Sequence, residues 1–514
     1  MPIVRIGPAG QYGINADVSQ HELPPNVWTG SNNIRFIDGS AAQFYGYGEA
    51  YAGTPVVPLH VLPVTVAGVR GWIYASDKKI YLVQGTTHTN ITRQTSSVDV
   101  DYTATRNAWT STVLGGVPIL NNGIDPPQQW LLTGKASVLS AWPANTTCAV
   151  MRAYKNSLIA LDVTKAGVRY PYMVKWSHPA DPGTVPVTWD PADITKEAGE
   201  FDLSEGYDYI VDALPLRSSL VVYKESSVWR LDYVGGTFIY NASKVLGTSG
   251  ALNRNCIVEI DGMHFVLTGS DVVVHDGQQA TSVLDKQARR FLFRSIDSQL
   301  TGRCFVFKNP YFNEVYVCYP QAGDSSITRA MVWNWVDKTV TFRDMPNINH
   351  AAHGSVDADS QQSWDSDTNS WDSDITAWNA PANTPDRARV LMASDDQKLY
   401  LLDASANFGL NAPTSWLERR GLSFDAPQNM KTIRGIRPRI SGTTGQTVMV
   451  SVGHSSEASA EPVYQPAVPF VIGSGVSADL FDTGRYMAIK FSSGTALQWK
   501  LDSFDVDVMQ AGSW

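Results

Sequence analysis

The stretch with the densest chemical potential is residues 353–386, HGSVDADSQQSWDSDTNSWDSDITAWNAPANTPD, in which W-D-S-D occurs twice and Trp364, Trp371 and Trp378 recur at seven-residue intervals. Asp365, Asp367 and Asn369 form D-x-D-x-N, a spacing of side-chain oxygens that could take a hard cation such as calcium. The pattern lacks the mid-loop glycine and has Thr376 where a distal glutamate would stand. An Asx-turn loop is therefore the favoured reading, with the three residues kept as candidate ligands and no cofactor expected. The three tryptophans could stack on a sugar ring or pack on a neighbouring chain, and they are the candidate interaction residues. His350 and His353 give H-x-x-H with no third ligand nearby in sequence, which reads as ordinary loop histidines before it reads as a metal site. No P-loop, G-x-S-x-G elbow, H-E-x-x-H or dinucleotide fingerprint occurs. Carboxylates are scattered through turns, so no glycosidase pair can be picked from sequence and no enzymatic activity is expected. Cys148, Cys256, Cys304 and Cys318 contain no C-x-x-C pair and read as buried thiols.

The elements that would carry these residues are short strands. From about residue 60 to 410 an apolar or alternating run, a tight polar turn and a second run keep returning, which is the hairpin signal. The clearest pair is Phe265–Leu267 and Val272–His275 about the turn Thr268 to Asp271; Trp72–Val83, Ser218–Val234, Phe312–Pro320, Met331–Asp344 and Lys398–Asp403 read the same way. Hairpins at this spacing, without long helices between them, predict an all-β fold, a β-propeller of roughly six to eight blades. One segment departs from the strand pattern. Residues 282–297 place Val283, Leu284, Ala288, Phe291 and Leu292 at helical spacing behind a possible Ser282 cap, predicting a short helix with Arg289 and Arg290 facing outwards. The expected domains are an extended Gly/Asn/Pro-rich N-terminal arm (1–50), the propeller (51–422) interrupted by the polar insertion 353–386, and a C-terminal β-sandwich (423–514).

Composition sets the outer limits. The chain has 514 residues, 43% hydrophobic and 17% charged, as expected of a folded globular protein. A formal charge of −9 and a pI near 5.5 argue against a protein that grips nucleic acid, though a conduit wall past which DNA slides gains from being acidic or neutral. The opening MPIVRIGPAGQYGINAD has no basic segment followed by an apolar one, and no 18-residue apolar run occurs, so synthesis in a cytoplasm without stable membrane insertion is expected.

Residues Gly13–Tyr47, GINADVSQHELPPNVWTGSNNIRFIDGSAAQFYGY, are similar to the opening of a group of phage virion proteins in which an E-L-P-P step precedes W-x-x-x-x-N-I-R-F-x-D-G. Further patches resemble the same group: PILNNGIDPPQQW (Pro118–Trp130), the block Lys244–Gly277, the RRFLF run, the W-D-S-D loop and Gly484–Val508. The chain thus resembles the tail nozzle or tail-hub proteins of short-tailed bacteriophages, the packaged-DNA stabilisation family among them. That resemblance implies a propeller protomer in a hexameric ring, located in the virion tail below the portal. Its expected partners are further copies of itself, the head-to-tail adaptor ring, tail fibres or a tail plug or needle, and phage DNA passing through the lumen without sequence recognition. The competing expectation is a glycan-binding or glycan-cleaving tail propeller acting on host polysaccharide.

Overall fold

The computed structural model describes residues 3–51, 53–236, 238–356 and 389–513. The chain is an all-β protein built largely of four-stranded antiparallel sheets. Local sequence makes the hairpins. Two-residue loops suit the twist of paired strands when both residues take positive φ. Ala67 and Gly68 (φ 50° and 84°), Gly115 and Gly116 (53° and 94°), Ala166 and Gly167 (49° and 82°) and Asp261 and Gly262 (46° and 73°) all do so. Each is flanked by residues in direct register, such as Val66 with Val69 and Ile260 with Met263.

Five sheets follow one another as meanders of consecutive strands. The first is His60–Val66, Val69–Ala75, Ile80–Gln84 and Thr87–Asn90; the second Thr110–Leu114, Val117–Asn121, Gln128–Gln129 and Ser137–Val138. The third is Thr146–Tyr154, Ser157–Lys165, Val168–Trp176 and Gly199–Asp202. The fourth is Ile210–Leu216, Ser219–Lys224, Val228–Tyr233 and Tyr240–Leu246; the fifth Ile257–Ile260, Met263–Leu267, Val272–His275 and Ala280–Ser282. A seven-stranded sheet comes next: Phe305–Asn309, Glu314–Tyr319, Ile327–Asn334, Val340–Gly354, Arg389–Ser394, Lys398–Ser405 and, last in order, Gly46–Glu49. The long strand Val340–Gly354 belongs to two sets of four. Val340 to Asp344 pair with Trp333 to Arg329, and His350 to Gly354 pair with Ala393 to Arg389. Between them Pro346 withholds a ladder donor and Asn347 takes φ 48°, which turns the strand. The leading strands of neighbouring sets touch, and Val340–Gly354 returns to His60–Val66, so the circuit closes.

A two-stranded hairpin, Gln94–Thr95 with Val98–Asp99, and two six-stranded sheets complete the described sheets. One contains Ile3–Ile6, Ile34–Ile37, Ser40–Gln43, Asn429–Gly442, Asp482–Gly484 and Trp499–Ser513. The other contains Gly30–Asn32, Ser415–Leu422, Thr447–Ser455, Val463–Tyr464, Val468–Val471 and Tyr486–Ser493. Their facing residues meet in one core, Leu501, Phe504 and Val506 against Val450, Ile489 and Phe491, all fully buried, with a register shift between Leu501 and Ser503. That core runs without a break into the fifth and sixth sets, through Phe265, Trp333 and Phe342.

Three expectations need correction here. Residues 1–50 are no extended arm: Ile3–Ile6 and Ser40–Gln43 pair with Trp499–Ser513, Gly30–Asn32 pairs with Ser415–Leu422, and Gly46–Glu49 closes the seventh set of four. The first strand of the C-terminal part begins at Ser415, ahead of the expected boundary at 423. The helix is also shorter than 282–297, spanning Arg289–Ser295. Ser282 sits in a strand, Lys286 has φ 56° and Ala288 φ −145°, so the chain cannot be helical before Arg289. The cap comes from far away in sequence: the Asp17 carboxylate accepts from the backbone N–H groups of Arg290 (2.8 Å) and Phe291 (3.2 Å).

Candidate functional site

The leading strands of the closed circuit bring polar side chains to its centre, and they bond to one another. The Arg152 guanidinium donates from Nε and Nη2 to both Asp212 oxygens (2.9 and 2.8 Å) and from Nη1 to the Ser111 carbonyl (3.1 Å). Asp212 also accepts from the Asn255 backbone N–H (3.0 Å). His60 Nε2 lies 2.7 Å from Ser111 Oγ, and its ring lies 4.0 Å from that of His350, tilted by 37°. His350 Nδ1 accepts from the Val61 N–H (3.4 Å), which places its own proton on Nε2. Burial, reinforced by the neighbouring ring and by Arg152, drives His60 well below the ordinary imidazole range; burial and Arg152 bring His350 down to about 3. Both rings are therefore neutral at physiological pH. Side chains from the first, second, third, fourth and last sets thus meet where the leading strands converge, joined by the backbone of Asn255 just ahead of the fifth set.

A second buried network joins the ring to the two-sheet part. Arg35, on Ile34–Ile37, makes a bidentate pair with Glu314 (2.6 and 3.0 Å) and reaches Asp403 (2.8 Å). Arg343 donates to the other Asp403 oxygen (2.9 Å), to Tyr316 Oη (3.0 Å) and to the Tyr45 carbonyl (2.6 Å). Tyr316 donates on to Glu314 (2.8 Å), and Asn309 to Asp403 (3.0 Å). Burial works against the Arg35 charge, but Asp403 and Glu314 outweigh it and hold the guanidinium ionised. Two guanidinium groups and two carboxylates balance, with the Phe312 ring 3.4 Å from Arg35 Cζ and Phe44 4.6 Å from both arginines.

A third set is a chain of neutral donors. The Gly277 N–H donates to His275 Nδ1 (3.2 Å), so His275 Nε2 carries the proton given to Tyr223 Oη (2.5 Å). Tyr223 then donates to His264 Nδ1 (2.7 Å), and His264 Nε2 to the Pro215 carbonyl (3.0 Å). Burial lowers both histidines to about 4. Every polar atom of the chain is satisfied, so it locks the fourth sheet to the fifth and has nothing free with which to meet a substrate.

A cavity of about 320 Å³ opens between the first two hairpin ends and is lined by Pro63, Thr65, Arg70, Val113, Pro118 and Ser355. Its lining contains no carboxylate pair. Asp365, Asp367 and Asn369, with Trp364, Trp371 and Trp378, lie outside the described residues. His350 and His353 are not brought together: three residues apart on one strand, they project to opposite faces. Among the described residues no group of three or more His, Cys, Asp and Glu side chains is placed to hold a metal ion, and no helix is long and apolar enough to cross a membrane. All four cysteines are buried and free. The networks that do form were hidden from sequence reading because their members come from different sheets. Tyr223 lies 41 residues from His264, and Arg35 lies 279 from Glu314.

No family model and no curated protein matches the chain. Among solved structures it is similar to YCF48 bound to D1 peptide, with TM-score 0.36 and 11% identity over 68% of this chain and 95% of that one. The extracellular domain of a hybrid two-component system from B. thetaiotaomicron gives TM-score 0.39 and 11% identity over 84% and 49%. BBS1N in complex with ARL6DN gives TM-score 0.38 and 10% identity over 72% and 99%. Likeness at this level says nothing of activity or partners.

Proposed function

We propose that the protein is a structural subunit of a short-tailed bacteriophage tail, a seven-bladed β-propeller fused to a β-sandwich that assembles as a hexameric ring. Below the portal and adaptor, that ring retains the packaged DNA and conducts it at ejection. The observation that carries the reading is where the motif residues lie. Arg35 of N-I-R-F-x-D-G ties the sandwich to two propeller strands, Asp17 caps the single α-helix described, and Asp38 and Gly39 form the turn between two sandwich strands. The residues that carry the resemblance are thus committed to holding the fold together, which suits a part that acts by shape.

In this reading the conduit runs between copies, along the axis of the ring, while the Arg152–Asp212 pair and the His60–His350 contact hold the leading strands of each propeller together. A closed ring of identical subunits needs two different complementary patches on each. Negative-stain microscopy with mass determination, on the protein alone and mixed with its adaptor ring, tests this. Rings with a central hole are expected; a monomer that docks on no adaptor and binds or cleaves host polysaccharide would replace the nozzle by the glycan-directed alternative.

A further inference from the structure

We infer that the segment from Lys286 to Arg294, at the crossover from the fifth to the sixth set of strands, is a phosphate-contacting ridge for duplex DNA. The inference rests on the nozzle reading and names the surface that touches the genome. Arg290 and Arg294 stand one turn apart on the helix Arg289–Ser295, hence on one face, and Lys286 lies in the turn just before it; all three are exposed. Among the described residues no carboxylate pairs with any of them. The acids around them are occupied. Asp17 accepts the two backbone N–H groups that cap the helix. Asp271 pairs with Arg289 and accepts from the Val272 N–H and Ser282 Oγ. Asp285, exposed and next to Lys286 in the chain, forms no ion pair with it.

In a chain of net charge −9, whose cations are in many places tied to carboxylates, a short element with three uncompensated charges is unusual. Like charges one turn apart destabilise a helix, so the arrangement brings the fold no gain of its own. Guanidinium groups match phosphate oxygens in geometry. An acidic protein is the weaker fit, because stable protein interfaces are depleted of charge at their centre and need a surrounding apolar patch, whereas the helix exposes one large apolar side chain, Phe291. Phosphate contacts at three points would hold DNA weakly and without sequence preference, compatible with a duplex that later slides past.

The test measures binding of a fluorescent duplex of arbitrary sequence to the full chain across a salt series. The wild type is compared with the triple variant Lys286→Gln/Arg290→Gln/Arg294→Gln and with the control Lys78→Gln/Lys196→Gln/Arg437→Gln, which removes the same charge from exposed sites elsewhere. Expected are weak, salt-sensitive binding by the wild type and the control, and at least a tenfold loss in the triple variant at low salt. The plot of log affinity against log salt should become shallower by about 2–3, since each substituted residue leaves one phosphate without its cation. A triple variant with wild-type affinity and slope overturns the inference, as does a wild type that binds no duplex at low salt. Ring formation, scored in parallel by microscopy, separates the two readings: a wild type that forms rings and binds no DNA removes the ridge and leaves the nozzle standing.

Discussion

Acidification should unfold this protein well above the pH at which carboxylates titrate, and the cause is its buried neutral histidines. An imidazole held below its ordinary pKa binds fewer protons folded than unfolded. Its contribution is complete above the unfolded value near 6.5 and is lost as pH falls toward the folded value. His264 and His275 stand at about 4 and His350 at about 3, with His60 displaced in the same direction. At pH 5 each of the three with a stated value costs the fold about 2 kcal/mol, or about 6 kcal/mol together, against a typical domain stability of about 5–15 kcal/mol. The carboxylates held low chiefly by side-chain hydrogen bonds, Asp99 (from Gln94) at about 2 and Asp208 (from Ser227, then Lys224) lower, lose their contribution only below about pH 4, so the window from 7 to 5 belongs to histidine. Urea unfolding in weakly buffered solution at pH 5.5, with a pH electrode reading proton uptake, should show close to one proton taken up per buried histidine. This readout does not require a two-state transition. His264→Asn/His275→Gln should be less stable at pH 7.5, yet take up about two protons fewer. Uptake of fewer than about two protons by the wild type, or an unchanged uptake in the double variant, would refute the assignment of these rings as neutral.

Replacing Arg35 by Met removes the cation that Glu314 and Asp403 share, leaving two buried carboxylates short of a partner, and should lower stability by about 3–5 kcal/mol in urea denaturation. Adding Glu314→Gln to that variant should recover part of the loss; no recovery would mean that the defect is one of packing. Gly46→Ala would set a Cβ 1.8 Å from the Asn407 carbonyl oxygen, so the closing strand Gly46–Glu49 cannot keep its place. Limited proteolysis should then cut the seventh set of strands several-fold faster than in the wild type, and equal cutting rates would show that this strand closes nothing. Burial pushes the Cys304 thiol up to about 12 and the Cys256, Cys318 and Cys148 thiols upward as well. At pH 8 a thiol reagent should therefore label none of the four until urea is added; rapid native labelling would place at least one in reach of solvent.

What could be read from sequence divides by the chain distance between partners. The hairpins were legible because alternation and a two-residue positive-φ turn are local: Phe265–Leu267 and Val272–His275 lie within strands found at Met263–Leu267 and Val272–His275. The N-terminal strands were not. Ile34–Ile37 carries its own alternation, but Ile3–Ile6 and Gly30–Asn32 take partners roughly 400–500 residues away, and a short polar strand with a distant partner looks like an arm. Apolar spacing overextends the helix, because it registers Leu284 and Ala288 without registering that Lys286 must adopt positive φ. Of the candidate site, the histidine, tyrosine and arginine networks needed the third dimension, since each draws single residues from several sheets.

The placement of those networks bears on how the subunit can work. A propeller whose blades are joined only by apolar edges could in principle splay when a neighbour pulls on it. Here the circuit is fastened at the axis by Arg152 and Asp212, between the fourth and fifth sheets by Tyr223 with two histidines, and between the last set and the sandwich by Arg35, Asp403 and Arg343. Breaking any of these leaves a buried polar group unpaired, which costs more than the bond contributes. The subunit should therefore move as one body. If, under the proposed nozzle reading, DNA release requires the conduit to widen, the movement has to be taken up between subunits, where contacts are replaceable, and not within the propeller.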